Sequence, residues 1–108
     1  MLDTSVVVID SGICNLFNVS RAFQSLGAQV VVASSRRDIL SASRIVLPGV
    51  GAFGPGMKSL EQNDLVGTIK EFAAGGRPVL GFCLGMQMLL STSEEHGSWP
   101  GLSLIPGR

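Results

Sequence analysis

Four short apolar runs, each followed by a stretch with helical spacing, do most to narrow what this chain can fold into. Ser5–Ile9, Gln29–Ala33, Arg44–Leu47 and Val79–Phe82 are dense in Val, Ile and Leu. Unbroken runs of that kind suit strands covered on both faces, as in a parallel sheet, rather than the in-out alternation of a half-exposed one. Helical patterns between them supply the crossovers that parallel strands need. The expected class is α/β, a three-layer, mostly parallel sheet flanked by helices. At 108 residues the chain makes a single domain, residues 1–108, near the lower size limit for three layers.

The helices follow from spacing. Leu16, Val19, Phe23 and Leu26 fall on one face of a helix from about Asn15 to Leu26, which Gly27 stops as a C-terminal cap. Ser34–Asp38 reads as a polar link into a short turn at Ile39 and Leu40. Pro48–Gly56 holds four Gly and two Pro in nine residues and reads as a loop. A helix resumes near Met57, and another spans Leu65–Ala74, where Leu65, Ile69 and Phe72 repeat at helical spacing. Cys83 opens a last helix to about Thr92, in which Met86, Met88, Leu89 and Leu90 pack inward. Glu94–Gly101 reads as irregular, and Leu102–Gly107 as a short extended segment.

Composition removes several classes of function. Net charge is zero, from eight basic and eight acidic residues, and only 6 % of residues are aromatic, with no Tyr. Neither a nucleic-acid backbone nor a membrane surface is therefore an expected partner. Apolar runs of five to seven residues are far too short for a bilayer span, and Asp3 interrupts a secretory signal. The expected location is the cytoplasm, with both cysteines reduced. Two cysteines without a histidine cluster make no zinc site.

The candidate chemistry centres on Val79–Gln87. Cys83 stands at the strand-to-helix junction with Gly81 and Gly85 two residues away on either side, the spacing of a tight elbow in which a Cβ at either glycine meets the next turn. Such an elbow lifts the sulfur to the sheet edge, beside helix N–H groups that suit an anionic nucleophile. Acyl transfer through a thioester is the expected reaction; an inert thiol is the alternative. Cys14, at a loop-to-helix junction without flanking glycines on both sides, has the weaker claim.

Pro48-Gly49-Val50-Gly51 also follows a strand and projects from the same edge, where its backbone N–H groups could form an oxyanion hole with that of Leu84. An ordinary tight loop is the plain alternative. Gln87, one turn beyond Cys83, is either a substrate contact or a helix-surface amide. His96 is the only histidine. If the helix runs most of the way from Cys83, a rise of about 1.5 Å per residue puts it on the order of 20 Å from the sulfur. That makes it a surface residue and leaves the base outside these residues.

The chain resembles the N-terminal half of the class I (triad) glutamine amidotransferases, and most of all the glutaminase subunits of imidazole glycerol phosphate synthases. The likeness runs through Asp10–Val19, Leu47–Met57, Gly81–Gln87, Ser93-Glu94-Glu95 and Gly101–Gly107. Gly-x-Cys-x-Gly alone marks only the superfamily; Pro-Gly-Val-Gly-Ala-Phe with Gly-Met, and Cys-Leu-Gly-Met-Gln, point to this subunit. The resemblance implies a flavodoxin-like fold, no cofactor, and Cys83 attacking glutamine to give a γ-glutamyl thioester. Water then cleaves the thioester to glutamate. The released ammonia would pass to a (β/α)₈-barrel cyclase partner in histidine biosynthesis. Carried over by position, Gly51 and Leu84 would give oxyanion N–H groups, Val50 would lie in the peptide that gates them, and Gly49, Gln87 and Glu95 would hold the substrate. Asn15 lies in the motif near the synthase interface, or else caps a helix.

Two departures stand out. Cys14 replaces the family's more usual glycine. The family's catalytic histidine and glutamate belong to a C-terminal segment with no counterpart here, so the expectation is an N-terminal portion without glutaminase turnover of its own. A sheet ending at this point also leaves a bare strand edge, which fits a missing half. The competing readings are a glutaminase domain of another amidotransferase, such as the anthranilate type, and a non-catalytic flavodoxin-like interaction module.

Overall fold

The computed structural model describes residues 5–12 and 16–108. The readings placed on Asp3, Cys14 and Asn15 lie outside the described residues. In chain order the elements are β1 (Ser5–Ile9), α1 (Leu16–Ser25), β2 (Gln29–Ala33), α2 (Arg36–Leu40), β3 (Ile45–Leu47), α3 (Phe53–Gln62), α4 (Leu65–Ala74), β4 (Val79–Gly81), α5 (Leu84–Met88), β5 (Thr92–Ser93) and β6 (Trp99–Pro100).

The first four strands form one parallel sheet in the order β2-β1-β3-β4. Val7 pairs with both Val31 and Ile45, and Leu47 pairs with Gly81. Alternation along β1 divides the core. Val6 and Val8 join Val46 under Leu16, Val19 and Phe23 of α1, whereas Val7 and Ile9 face the layer made by α2 to α5. The larger core holds Leu65, Ile69 and Phe72 of α4, all fully buried, each contributing about 1.5–3 kcal/mol relative to an exposed position. Three layers and a parallel sheet are thus observed, in a flavodoxin-like arrangement. Because the chain goes from β1 to one side and then returns to the other, the order switches between β1 and β3. Ligand sites in open α/β sheets form at the carboxyl ends of the strands around such a switch.

Local chemistry explains where the elements depart from expectation. α1 ends in a Schellman cap: Ala28 N–H donates to Phe23 O, Gly27 N–H donates to Gln24 O, and Gly27 has φ 90°. That cap turns Leu26 outward, leaving it 84 % exposed instead of on the core face. Most of the polar link is itself helical, since Ser35 Oγ accepts from Asp38 N–H and α2 starts at Arg36, three residues before the expected turn. α3 begins at Phe53, inside the Gly- and Pro-rich stretch. Pro55 sits in the first turn, where its missing N–H costs nothing, and Gly56 N–H makes the first helical bond, to Ala52 O. Gly56 is there for packing: a Cβ would stand 2.8 Å from Leu84 Cδ2.

The last helix is far shorter than the spacing suggests. α5 stops at Met88 because the segment after Gly101 takes over the carbonyls that further turns would use. Leu102 N–H donates to Met88 O, Leu104 and Ile105 N–H to Leu89 O, and Ser103 N–H to Leu90 O. Met88 and Leu89 are buried as expected, but Met86 is 56 % exposed and Leu90 only half-buried. The stretch expected to be irregular contains a two-residue antiparallel ladder, Thr92↔Pro100 and Ser93↔Trp99.

Candidate functional site

β1, β3 and β4 end at the same edge of the sheet, so the loops after them share one surface. Between β4 and α5, Cys83 adopts φ 52° and ψ −118°, a backbone region costly for any residue with a Cβ and typical of strained functional turns. The flanking glycines permit it. A Cβ on Gly81 would lie 2.7 Å from Met86 N and Cα, and one on Gly85 would fall on the Leu47 carbonyl. The elbow is therefore seated directly on the backbone of β3. The Cys83 thiol is free and exposed, and it lines a largely apolar cavity of about 260 Å³ with Asn18, Val19, Ala22, Phe23 and Phe82.

The loop after β3 lies against this elbow. Gly49 is buried, whereas Val50 and Gly51 are exposed, and Gly51 has φ 101°. Gly49 packs on the start of α5, where an added Cβ would be 3.1 Å from both Gly85 N and Leu84 Cβ. Leu84 N–H donates to Gly49 O at 3.3 Å. The amide expected to be a free donor is thus satisfied by the loop itself, through a carbonyl belonging to the Gly49–Val50 peptide.

Gln87 and Glu95 line one cavity of about 260 Å³, together with Phe53, Leu90, Thr92, Ser93 and Arg108. Cys83 lines the separate cavity against α1, so the described surface does not join sulfur and polar pocket into a single hollow. Glu95 has a structural partner that sequence reasoning missed. Its Oε1 accepts from Phe53 N–H at 3.0 Å, which satisfies one of the bare N–H groups at the start of α3, where Ala52 offers no side-chain cap. No local signal announces this bond, since it spans 42 residues of sequence. The other carboxylate oxygen keeps its lone pairs for a ligand.

His96 follows Glu95 in a turn, with φ 53°. It borders a different cavity, of about 530 Å³, with Lys58, Glu95 and Trp99. Among the described residues no hydrogen bond links it to Cys83. The short α5 invalidates the long-helix geometry behind the 20 Å expectation, but His96 remains exposed and turned to another hollow. Among the described residues no group of three His, Cys, Asp or Glu side chains could hold a metal ion, and no helix is long and apolar enough to cross a membrane.

The family described as glutamine amidotransferase class-I matches residues 7–96. The imidazole glycerol phosphate synthase subunit HisH 1 of Legionella pneumophila (strain Paris) is 52 % identical over 104 residues, which cover 96 % of this chain and 49 % of that protein. The HisH subunit of Symbiobacterium thermophilum is 45 % identical over 95 % of this chain and 49 % of its own length. That of Listeria monocytogenes serovar 1/2a is 46 % identical over 94 % and 49 %. The chain thus spans about half the length of these relatives. In fold it matches the crystal structure of a candidate peptidase E protein from Listeria monocytogenes EGD-e, with TM-score 0.74 and 17 % identity over 94 % of this chain and 63 % of the other.

Proposed function

The chain belongs to the class-I glutamine amidotransferases, and from that premise we propose that it carries the nucleophile-bearing part of a glutaminase feeding ammonia to a (β/α)₈-barrel cyclase that makes imidazole glycerol phosphate. The exposed thiol of Cys83 on a strained elbow, packed against the Gly49–Gly51 loop, carries the reading. The names of relatives 45–52 % identical to the chain, all subunits of imidazole glycerol phosphate synthase, support the choice of synthase.

In this reaction Cys83 Sγ bonds to the side-chain amide carbon (Cδ) of glutamine, and the carbonyl oxygen becomes an oxyanion. Collapse breaks the carbon–nitrogen bond, and the proton given up by the thiol ends on the departing ammonia. Water then attacks the thioester, releasing glutamate and restoring the thiol. Gln87 and the free oxygen of Glu95 orient the polar end of the substrate. The oxyanion is met by Leu84 N–H and by the loop.

Leu84 N–H is spent on Gly49 O in the conformation described, so the hole is closed at rest. Rotating the Gly49–Val50 peptide withdraws that carbonyl and turns Val50 N–H toward the same spot, with Gly51 at positive φ as the adjoining hinge. A base and acid are still required, and His96 lines another hollow. These 108 residues therefore acylate at Cys83 without appreciable turnover.

The test is labelling of Cys83 by a chloroketone analogue of glutamine, in which sulfur displaces chloride, followed by peptide mass mapping, which separates Cys83 from the second cysteine, Cys14. Saturable labelling that L-glutamine suppresses is expected. Labelling linear in reagent and indifferent to glutamine sinks the reading.

A further inference from the structure

We propose that Trp99 is a positioning residue for this site, one that does not touch the substrate but sets the Glu95 carboxylate against the first turn of α3. The inference rests on the glutaminase reading above and deepens it.

Trp99 is the only tryptophan in the chain, and it is 39 % exposed, so it is not simply filling a core. Its indole N–H donates to the Glu95 carbonyl at 2.9 Å. Its ring lies flat enough on α3 that a Cβ on Gly54 would stand 2.7 Å from Cε2 and 2.9 Å from Cδ2. The Ser93↔Trp99 pairing brings both arms of the hairpin together, and Ser93 Oγ accepts from Glu95 N–H at 3.1 Å.

Glu95 is thereby fixed at three points. Its N–H is held by Ser93, its carbonyl by the indole and its carboxylate by Phe53 N–H. Phe53 is two residues beyond Gly51, so the carboxylate that faces the polar cavity also pins the end of the loop beside Cys83. Gly54 is required because the indole occupies the space of its side chain. Without the indole N–H, the 95–97 turn keeps only the Ser93 bond to the hairpin, and the carboxylate must satisfy α3 and substrate from a less fixed position.

The experiment compares two labels of Cys83 in this chain, the chloroketone analogue of glutamine and iodoacetamide, which needs no substrate contacts. Trp99→Phe keeps an aromatic ring, smaller than the indole, and removes the donor, whereas Gly54→Ala keeps the donor and displaces the ring. In both variants the chloroketone concentration giving half-maximal rate is expected to rise about tenfold, the scale of one lost hydrogen bond to a charged or preorganised group. Iodoacetamide labelling should stay within about twofold, since a tenfold change requires about 1.4 kcal/mol and nothing at Sγ is altered. In a Glu95→Gln background, Trp99→Phe should add little, because both changes act through one carboxylate.

Unchanged half-saturation in folded Trp99→Phe and Gly54→Ala overturns the proposal while leaving the glutaminase reading intact. So does an equal loss toward both reagents in folded protein, which places the effect at the sulfur itself rather than in the Glu95 contacts. Failure of the unsubstituted chain to saturate or to be protected by glutamine removes the glutaminase reading and this inference together.

Discussion

The amide of Leu84 and the carbonyl of Gly49 form a hydrogen bond of 3.3 Å directly beneath the Cys83 elbow. One peptide plane thus occupies the donor that a tetrahedral intermediate would need, and turning that plane both frees the donor and supplies another. Changing the loop should therefore alter acylation more than folding. Gly51→Ala meets no atom within 4 Å, but its φ of 101° disfavours any Cβ, so a stability loss of about 1 kcal/mol is expected. If the loop must turn, chloroketone labelling of Cys83 will slow by more than that loss accounts for, and stopped labelling series against denaturant midpoints check the difference.

The backbone of Cys83 gives a stability prediction of opposite sign. At φ 52° and ψ −118° a residue with a Cβ is strained by roughly 1–3 kcal/mol. Cys83→Gly relieves that strain, less the extra unfolded-state entropy of glycine. A net gain of about 1 kcal/mol, or about 4–8 °C in Tm for a domain this size, is expected alongside complete loss of labelling. A lower Tm means the elbow is not strained.

Two other glycines separate close approach from mere flexibility. Gly85→Ala would push a Cβ into the Leu47 carbonyl; no rotamer change relieves a backbone clash, and the cost should exceed about 4 kcal/mol, the range that unfolds marginal domains. Gly67, inside α4 with nothing within 4 Å, should give a gain of about 0.5–1 kcal/mol as Gly67→Ala. Urea titrations of the two variants read both directions.

Arg77 ties the α2 end to the start of β4. Its guanidinium donates to Leu40 O at 2.5 Å and to Ala42 O at 2.8 Å, and it stacks 4.2 Å from the centre of the Phe72 ring. Arg77→Lys keeps charge but loses the planar fork. A loss of about 1–3 kcal/mol is expected, nearly as large as for Arg77→Ala, whereas neutralising the exposed Arg36–Glu71 pair should cost under about 1 kcal/mol.

The strands and the elbow were legible because each rests on a local rule. Val6 to Ile9 and Ile45 to Leu47 are continuous apolar runs and lie buried in the sheet, whereas the outer runs, expected to be covered in the same way, are not, since Val31, Val32 and Leu80 are about half exposed. Gly81 and Gly85 read as places without room for a Cβ, and the backbone beside each of them bears this out. What escaped was decided by partners distant in sequence. Gly54 and Gly56 looked like loop formers, yet they are helical residues pared down to admit Trp99 and Leu84. α5 ends where Leu102 to Ile105 claim its carbonyls, which no periodicity within Leu84–Thr92 announces. Leu26 fits the apolar face on a helical wheel, but the Schellman cap ends the helix before that wheel applies. In the site, the elbow and its adjoining loop came from motif and position, whereas the bond from Phe53 to Glu95 and the indole behind it came only from three dimensions.

The foundation of the elbow is main chain on main chain, with Gly85 resting on the end of β3 and Gly81 on the first turn of α5. The nearest atoms in that seam are main chain, with Leu47 Cγ farther off at 3.4 Å from where a Gly85 Cβ would stand, so ordinary drift of aliphatic residues elsewhere in the interior leaves its closest contacts untouched. Substitutions elsewhere in the core should lower the melting temperature well before they move the sulfur, and the geometry of the nucleophile should be the last thing such a lineage loses.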